Sequence, residues 1–201
     1  MTKTEYLKEG RDTGLWDAGW YCPAQKVQSP NFSARPNGFL PELAVIHSIS
    51  LPPGEYGNGE IKKLFLNELD WDAHPYYQKI RGALVSAHFV IDRNGVLTQY
   101  VACDQKAWHA GRSSWRGRDE CNEWSIGIEL EGLEGQTFDD AQYVALSSLL
   151  NALCVAYPIR AIAGHEHVAP ARKIDPGPGF DWKRLIRMAE LPQEMYPPQV
   201  V

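Results

Sequence analysis

The sequence has no run of basic residues, and acidic residues outnumber basic ones. Lys and Arg total 20 against 25 Asp and Glu, which gives a formal net charge of -5 and an isoelectric point near 5.7. Proteins that bind nucleic acids usually present a basic patch to the phosphates. We therefore expect no nucleic-acid partner for this chain.

Long apolar stretches are also missing. The first ten residues carry a charge every few positions and lack the apolar core of a signal peptide. No later stretch reaches the roughly 20 apolar residues that a membrane-spanning helix needs. These two absences predict a cytoplasmic protein without a membrane partner.

Cysteine is sparse and scattered. The chain has four cysteines, at Cys22, Cys103, Cys121 and Cys154, and no Cys-x-x-Cys pair. This spacing favours reduced thiols over a disulfide framework or a cysteine zinc knuckle. A bridge between Cys22 and Cys121 is the alternative.

The length and the apolar content predict one α/β domain. With 201 residues and 44% hydrophobic composition, the chain can bury a full core. We expect an N-terminal arm at 1–42, rich in Pro and Gly and packed on the body. The body would span 43–190 as a mixed central β-sheet flanked by helices, followed by a Pro-rich tail at 191–201.

Three segments read as strands. The apolar run from Leu43 to Ser48 predicts a buried strand with His47 at its C-terminal end. Residues 85–101 predict a hairpin, because Asn-Gly at 94–95 supplies the positive φ that a tight turn requires. Residues 124–131 alternate strictly, which directs Glu129 away from the apolar side of the strand. A further short strand is expected at 159–163.

Helices are predicted where apolar residues recur at helical spacing. A short helix is expected at 60–69. A longer one would begin at a capping box formed by Thr137 and Asp140 and end at Pro158, with Leu146, Leu149, Leu150 and Leu153 buried. Asp181 is expected to cap the last helix.

The segment 164–178 concentrates polar chemistry between Pro and Gly residues, which should keep it out of regular structure. His165 and Asp175 offer two of the ligand types that zinc accepts. Since they are ten residues apart, a third ligand must come from elsewhere, and His47 at its strand end is the best candidate. His167, two residues from His165, is a rival ligand.

Other polar and aromatic residues have open roles. Glu131 shares a strand face with Glu129 and is an alternative base. His109 is expected either to line a substrate cleft or to lie on the surface, while Trp108 and Trp115 belong either to the core or to a ligand-facing loop. His88, beside Phe89 in a strand, is expected to be a core histidine.

Several motifs jointly resemble one family. They are Val-Ile-His47-Ser, Val-Ser-Ala-His88, Ala-Trp108-His109-Ala-Gly-Arg, Cys121-Asn-Glu-Trp-Ser-Ile-Gly-Ile-Glu129, Gly-His165 and Arg-Lys173-Ile-Asp175-Pro-Gly-Pro. From about Trp20 to Trp182 the chain resembles the AmpD-type zinc amidases, which share a fold with peptidoglycan recognition proteins. The chain departs from this pattern at His167, where relatives usually carry Asp.

The resemblance implies an activity and a set of roles. The implied reaction hydrolyses the amide between the lactyl group of 1,6-anhydro-N-acetylmuramic acid and L-alanine in soluble cell-wall fragments. It implies a Zn²⁺ cofactor bound by His47, His165 and Asp175. It further implies Glu129 as general base and Lys173 as oxyanion stabiliser, with Trp108, His109 and Trp115 as substrate-binding candidates.

Two other functions compete with this one. The first is a muropeptide-binding module that does not cut its ligand, and the second is an amidase acting on intact murein. The complete set of ligand, base and cation residues favours an enzyme, and the absence of a signal peptide disfavours intact murein. We expect a monomer that takes a small-molecule anhydromuropeptide.

Overall fold

The computed structural model describes residues 14–201 of the chain. Its strands in chain order are β1 Trp16–Asp17, β2 Trp20–Tyr21, β3 Gln25–Lys26, β4 Phe32–Ala34, β5 Leu43–Ile49, β6 Phe89–Ile91, β7 Leu97–Gln99, β8 Gln105–Ala107, β9 Ser114–Trp115, β10 Arg118–Asp119, β11 Ser125–Glu131 and β12 Ala161–Gly164. Its α-helices are α1 Glu60–Phe65, α2 Pro75–Lys79, α3 Asp140–Ala156, α4 His165–Val168 and α5 Trp182–Ala189, and short 3₁₀ helices lie at Cys121–Glu123, Gln193–Met195 and Pro198–Val200.

A six-stranded mixed sheet organises the described residues, in the order β12-β5-β11-β6-β7-β3. The four strands β12, β5, β11 and β6 run parallel, whereas β7 pairs antiparallel with β6. The carboxyl ends of the parallel strands therefore meet at one edge of the sheet, which is where open α/β sheets place their ligands.

Helices cover both faces of this sheet. On one face, the buried side of α3 packs with Ile46, Ile128 and Leu130. On the other face, α1 and α2 enclose a second apolar cluster that includes Phe65 and Val90. This is the mixed α/β arrangement that the sequence predicted, and the prediction is confirmed.

Most of the predicted elements occur near their expected positions. The strand beginning at Leu43, the 85–101 hairpin, the strand that carries Glu129 and the helix capped by Asp181 are all present. All four leucines predicted to face the core from α3 are buried. None of the four cysteines forms a disulfide bond, so no Cys22 to Cys121 bridge forms.

Some element boundaries and one cap were predicted wrongly. The first helix ends at Phe65 instead of Leu69, and the hairpin's first strand begins at Phe89 because residues 85–88 lie outside the regular ladder. The capping box of α3 uses Asp139 and Gln142, not Thr137 and Asp140. The amide of Gln142 also donates to the carbonyl of Ile91, so tertiary contacts fix where this helix starts.

The segment 164–178 was also predicted wrongly in its first turn. Residues His165–Val168 form α4 directly after β12. The backbone N–H of Gly164 donates to Nδ1 of His167 at 2.9 Å, which satisfies a donor at the start of this turn. The remainder of the segment is irregular, as expected.

The predicted arm lies partly outside the described residues, which begin at 14. Within the described part, Trp16 belongs to the main core cluster and β3 extends the central sheet. The division into an arm at 1–42, a body at 43–190 and a tail at 191–201 stays a prediction. Among residues 14–201, no helix combines the length and the apolar character that crossing a membrane requires.

Asp181→Ala is expected to lower the free energy of unfolding by about 1 kcal/mol, the usual effect of losing an N-cap. The side chain of Asp181 accepts the backbone N–H of Arg184 at 2.9 Å, and alanine offers no replacement acceptor. Urea denaturation followed by circular dichroism measures the change. An unchanged midpoint would contradict the capping role.

Candidate metal centre and active-site cleft

Three neighbouring parallel strands bring the polar residues of the site together. His47 on β5 lies directly opposite Glu129 on β11 in the strand register. Gly164, the last residue of β12, pairs with Ile46 on β5. The residues that follow them, His165 and His47, therefore lie at the same level along the two strands. Side chains at equivalent positions of adjacent strands point to the same face of a sheet. The topology therefore gathers His47, Glu129 and His165 at the carboxyl edge.

Three ligand atoms from these elements converge within hydrogen-bond distance of one another. Nδ1 of His47 lies 2.9 Å from Nδ1 of His165 and 3.1 Å from Oδ2 of Asp175. The distance from Nδ1 of His165 to the same Oδ2 is 3.0 Å. All three side chains are buried.

The outer ring nitrogens fix which nitrogen of each histidine faces this centre. Nε2 of His165 lies 3.1 Å from the carbonyl oxygen of Ala110, so this nitrogen donates and Nδ1 carries the lone pair. Nε2 of His47 contacts Nδ1 of His109 at 3.0 Å and can donate to it in the same way. Two imidazole lone pairs and a carboxylate oxygen then point at one position. That donor set suits Zn²⁺.

The electrostatics keep these groups in their ligating forms. Burial, followed by the neighbouring His165, lowers the pKa of His47 to about 4, so the imidazole is neutral at neutral pH. Burial acts to raise the pKa of Asp175, but the close approach of His165 and His47 to its carboxylate outweighs burial and holds that pKa well below its usual range. Metal ligands must be deprotonated, and both groups meet that requirement.

Glu129 lies beside the three ligand atoms without joining them. Its Oε1 is 4.0 Å from Nδ1 of His47. Its Oε2 is buried and has no hydrogen-bond partner among the described residues. Burial raises the pKa of Glu129 well above its usual value, and the charge of Asp175 raises that pKa further against the opposing effect of Lys173. A carboxylate with an open oxygen and a raised pKa is suited to accept and return a proton.

A cleft opens in front of these groups. Lys173 is exposed and lines the cleft from the segment that carries Asp175. Aromatic side chains also line the cleft, among them Phe65, Tyr76 and Trp108. The indole Nε1 of Trp108 donates to Oγ of Ser33 at 3.3 Å, which orients the ring. The cleft therefore combines a cationic side chain with aromatic surface.

The two rival residues have other partners. Glu131 accepts the backbone N–H of Gly57 at 2.6 Å and does not line the cleft. His167 accepts the N–H of Gly164 and contacts the ring of Trp182, with 5.5 Å between ring centroids. Neither belongs to the group of three converging ligand atoms. Of the two glutamates, Glu129 lines the cleft and Glu131 does not, and His167 does not lie at the centre.

The predicted substrate-binding residues lie in different places. Trp108 and His109 line the cleft, whereas Trp115 does not and packs instead against an apolar cluster that includes Val168. His88 is fully buried, and its Nδ1 accepts the N–H of Gly127 at 3.0 Å. His88 is the core histidine that the sequence predicted.

Sequence reasoning missed several residues around the site. Glu134 lines the cleft from the loop after β11. Asn122 and Ser125 support the segment that contains His109, and Arg35, which directly follows β4, reaches the same region. Asn122 and Ser125 lie within the motif that runs from Cys121 to Glu129, but their partners are set by folding and have no local signature.

Comparison with known proteins places the chain in a family. Residues 39–178 match the family model Amidase_2, described as N-acetylmuramoyl-L-alanine amidase. The chain is 50% identical over 173 residues to the 1,6-anhydro-N-acetylmuramyl-L-alanine amidase AmpD of Citrobacter freundii. That alignment covers 85% of this chain and 92% of the relative.

Solved structures agree with the sequence match. A crystal structure of a selenomethionine AmpD derivative superposes with a TM-score of 0.85 at 49% identity, covering 87% of this chain and 98% of the other. A complex of AmiD from Escherichia coli with anhydro-N-acetylmuramic acid-L-Ala-D-gamma-Glu-L-Lys gives a TM-score of 0.54 at 29% identity. It covers 77% of this chain and 60% of that one.

Proposed function

Since the chain belongs to the N-acetylmuramoyl-L-alanine amidase family, we propose that it is a zinc-dependent amidase for soluble 1,6-anhydromuropeptides. The bond cut is the amide that joins the lactyl group of 1,6-anhydro-N-acetylmuramic acid to L-alanine. The observation that carries the proposal is the convergence of His47, His165 and Asp175 beside a buried carboxylate oxygen that has no partner within residues 14–201.

His47, His165 and Asp175 would hold the metal, since they supply two neutral imidazole nitrogens and one carboxylate oxygen. Zn²⁺ in such a site lowers the pKa of water toward about 7 and polarises a carbonyl group. Three protein ligands leave a coordination position for a small molecule, which is the pattern of catalytic rather than structural zinc sites.

Glu129 is the general base and then the general acid in this proposal. Its carboxylate takes the proton of the attacking water and delivers it to the nitrogen of the departing L-alanine. Burial of Glu129 and its raised pKa make proton retention between these two events favourable. Its position 4.0 Å from Nδ1 of His47 puts the carboxylate next to the reacting groups.

Lys173 stabilises negative charge, and the aromatic wall positions the substrate. As the amide carbonyl becomes tetrahedral, its oxygen gains negative charge, which the ammonium group of Lys173 offsets from the cleft rim. The apolar faces of the sugar and the peptide pack on Trp108 and its neighbours. The cytoplasmic location and the monomeric state predicted from the sequence belong to this proposal.

Incubation of the purified protein with anhydro-N-acetylmuramyl tripeptide is expected to release the free peptide, detected by mass spectrometry. A parallel incubation with intact murein tests the alternative substrate. Binding of the anhydromuropeptide by calorimetry without any cleavage would point to a binding module and contradict the proposal. Faster release of peptide from intact murein than from the soluble fragment would contradict the proposed substrate.

A further inference from the structure

The two metal-facing histidines share one supporting segment. The outer nitrogen of His47 contacts the side chain of His109, and the outer nitrogen of His165 contacts the main-chain carbonyl of Ala110. These two partners are consecutive in the sequence. A histidine that binds metal through Nδ1 must carry its proton on Nε2, and an acceptor at Nε2 holds it in that tautomer.

His109 has no nitrogen left for a ligand. Its Nδ1 lies 3.0 Å from Nε2 of His47, and its own Nε2 lies 3.1 Å from Oγ of Ser125. With Nδ1 accepting from His47, the proton of His109 is on Nε2 and is donated to Ser125. The chain of bonds from Ser125 through His109 to His47 leaves Nδ1 of His47 free to face the metal.

The ring of His109 lies against the backbone of the central sheet. A Cβ on Gly127 would fall 2.4 Å from Cγ of His109, so this position on β11 accommodates the imidazole only because it is glycine. The close approach fixes the plane of the ring. His109 is therefore built into the fold as a support and is not a mobile cleft residue.

Asn122 fixes the main chain of the same segment. Its side-chain oxygen accepts two backbone N–H groups, from His109 at 3.2 Å and from Ala110 at 2.8 Å. Arg172 adds a third restraint by donating to the carbonyl of Ala110. One amide side chain thus sets the position of both acceptors that orient the metal-facing histidines.

The turn that carries Asn122 is itself fixed by Arg35, which directly follows β4. The guanidinium group of Arg35 donates to the carbonyls of Ser125 at 2.8 Å, Glu123 at 2.9 Å and Asn122 at 3.2 Å. These bonds leave little freedom for the turn between β10 and β11. The side chains of Asn122 and Ser125 consequently reach the 109–110 segment from a rigid base.

We propose that Asn122 and His109 are positioning residues that set the tautomer and orientation of His47 and His165. This inference rests on the proposed function, because it assumes that those histidines bind zinc. Asn122 acts through the backbone of 109–110, and His109 acts through its Nδ1. Asn122 does not line the cleft, and His109, which does, acts in this scheme through its ring nitrogens.

The test is the zinc dissociation constant of purified variants, measured by competition with a chromophoric chelator. Asn122→Ala removes the acceptor for both N–H groups, and His109→Leu removes the acceptor for His47. Each is expected to weaken zinc binding by roughly 10 to 100-fold, the usual range for outer-shell changes. Asn122→Asp keeps an oxygen at the same place and is expected to stay near the wild-type affinity.

Ser33→Ala is the matched control, because Ser33 bonds the side chain of Trp108 but neither His109 nor Ala110. Thermal unfolding of the metal-free proteins shows whether each variant is folded. Wild-type zinc affinity in both Asn122→Ala and His109→Leu would overturn the inference but not the proposed function. An equal loss of zinc affinity in Asn122→Asp and Asn122→Ala would do the same. A wild-type protein that binds no zinc would overturn the proposed function and the inference with it.

Discussion

Asp175→Ala is expected to abolish zinc retention and, with it, amidase activity. Oδ2 of Asp175 lies 3.0 Å from Nδ1 of His165 and 3.1 Å from Nδ1 of His47, so its removal leaves two imidazoles with no anionic ligand between them. The loss of affinity should exceed the roughly 10 to 100-fold effect of outer-shell changes, because a direct ligand is removed. Elemental analysis of the purified variant gives the zinc content.

Asp181→Ala provides the matched control for this variant. It makes the same chemical change six positions further along the chain, at a helix cap whose carboxylate bonds the N–H of Arg184. It is expected to lose some stability but to retain zinc. Zinc content in Asp175→Ala equal to that of the wild type would refute the ligand assignment.

Glu129→Gln is expected to keep the metal and lose most of its turnover. Glutamine matches the size of glutamate but cannot take up a proton, so kcat should fall by roughly 10² to 10⁴-fold. Zinc content should be unchanged, because Glu129 is not among the three converging ligand residues. Single-turnover release of peptide measures the chemical step directly.

Glu131→Gln tests which of the two glutamates of β11 is the catalytic base. The carboxylate of Glu131 accepts the N–H groups of Gly57 and Arg93, at 2.6 Å and 3.3 Å, and lies outside the cleft lining. Its glutamine variant should therefore turn over much as the wild type does. Full activity in Glu129→Gln, combined with loss in a folded Glu131→Gln, would assign the base to Glu131.

Local patterns in the sequence were sufficient for much of the fold. The apolar run before His47 and the alternation around Glu129 specify buried strands, and both strands form where predicted. The Asn-Gly turn specifies its hairpin for a steric reason that does not depend on the rest of the chain. These features are encoded within ten residues or fewer, so they can be identified without tertiary information.

The boundaries that failed depend on distant partners. Helix α3 begins at Asp140 because Gln142 bonds both the N-cap backbone of Asp139 and the carbonyl of Ile91, a contact that no local pattern reveals. His165 lies in a helical turn although Pro and Gly residues surround it, because the turn follows directly from a buried strand. In both cases, tertiary packing outweighs local propensity.

The candidate site could be predicted only in part from the sequence. The ligand types of His47, His165 and Asp175 were apparent, but the alignment of Glu129 with His47 arises from pairing between strands about 80 residues apart. The roles of Asn122 and Arg35 rest on long-range hydrogen bonds to backbone groups, which have no sequence signature. The resemblance to a family supplied roles that spacing alone left open.

Zinc dependence is the central claim, and metal exchange on the intact protein tests it most directly. The purified protein is expected to contain about one zinc per chain, as a site with three protein ligands should. A chelator should stop the release of L-alanyl peptide from anhydromuropeptide, and stoichiometric Zn²⁺ should restore it. Undiminished cleavage by protein shown to be free of metal would contradict the account.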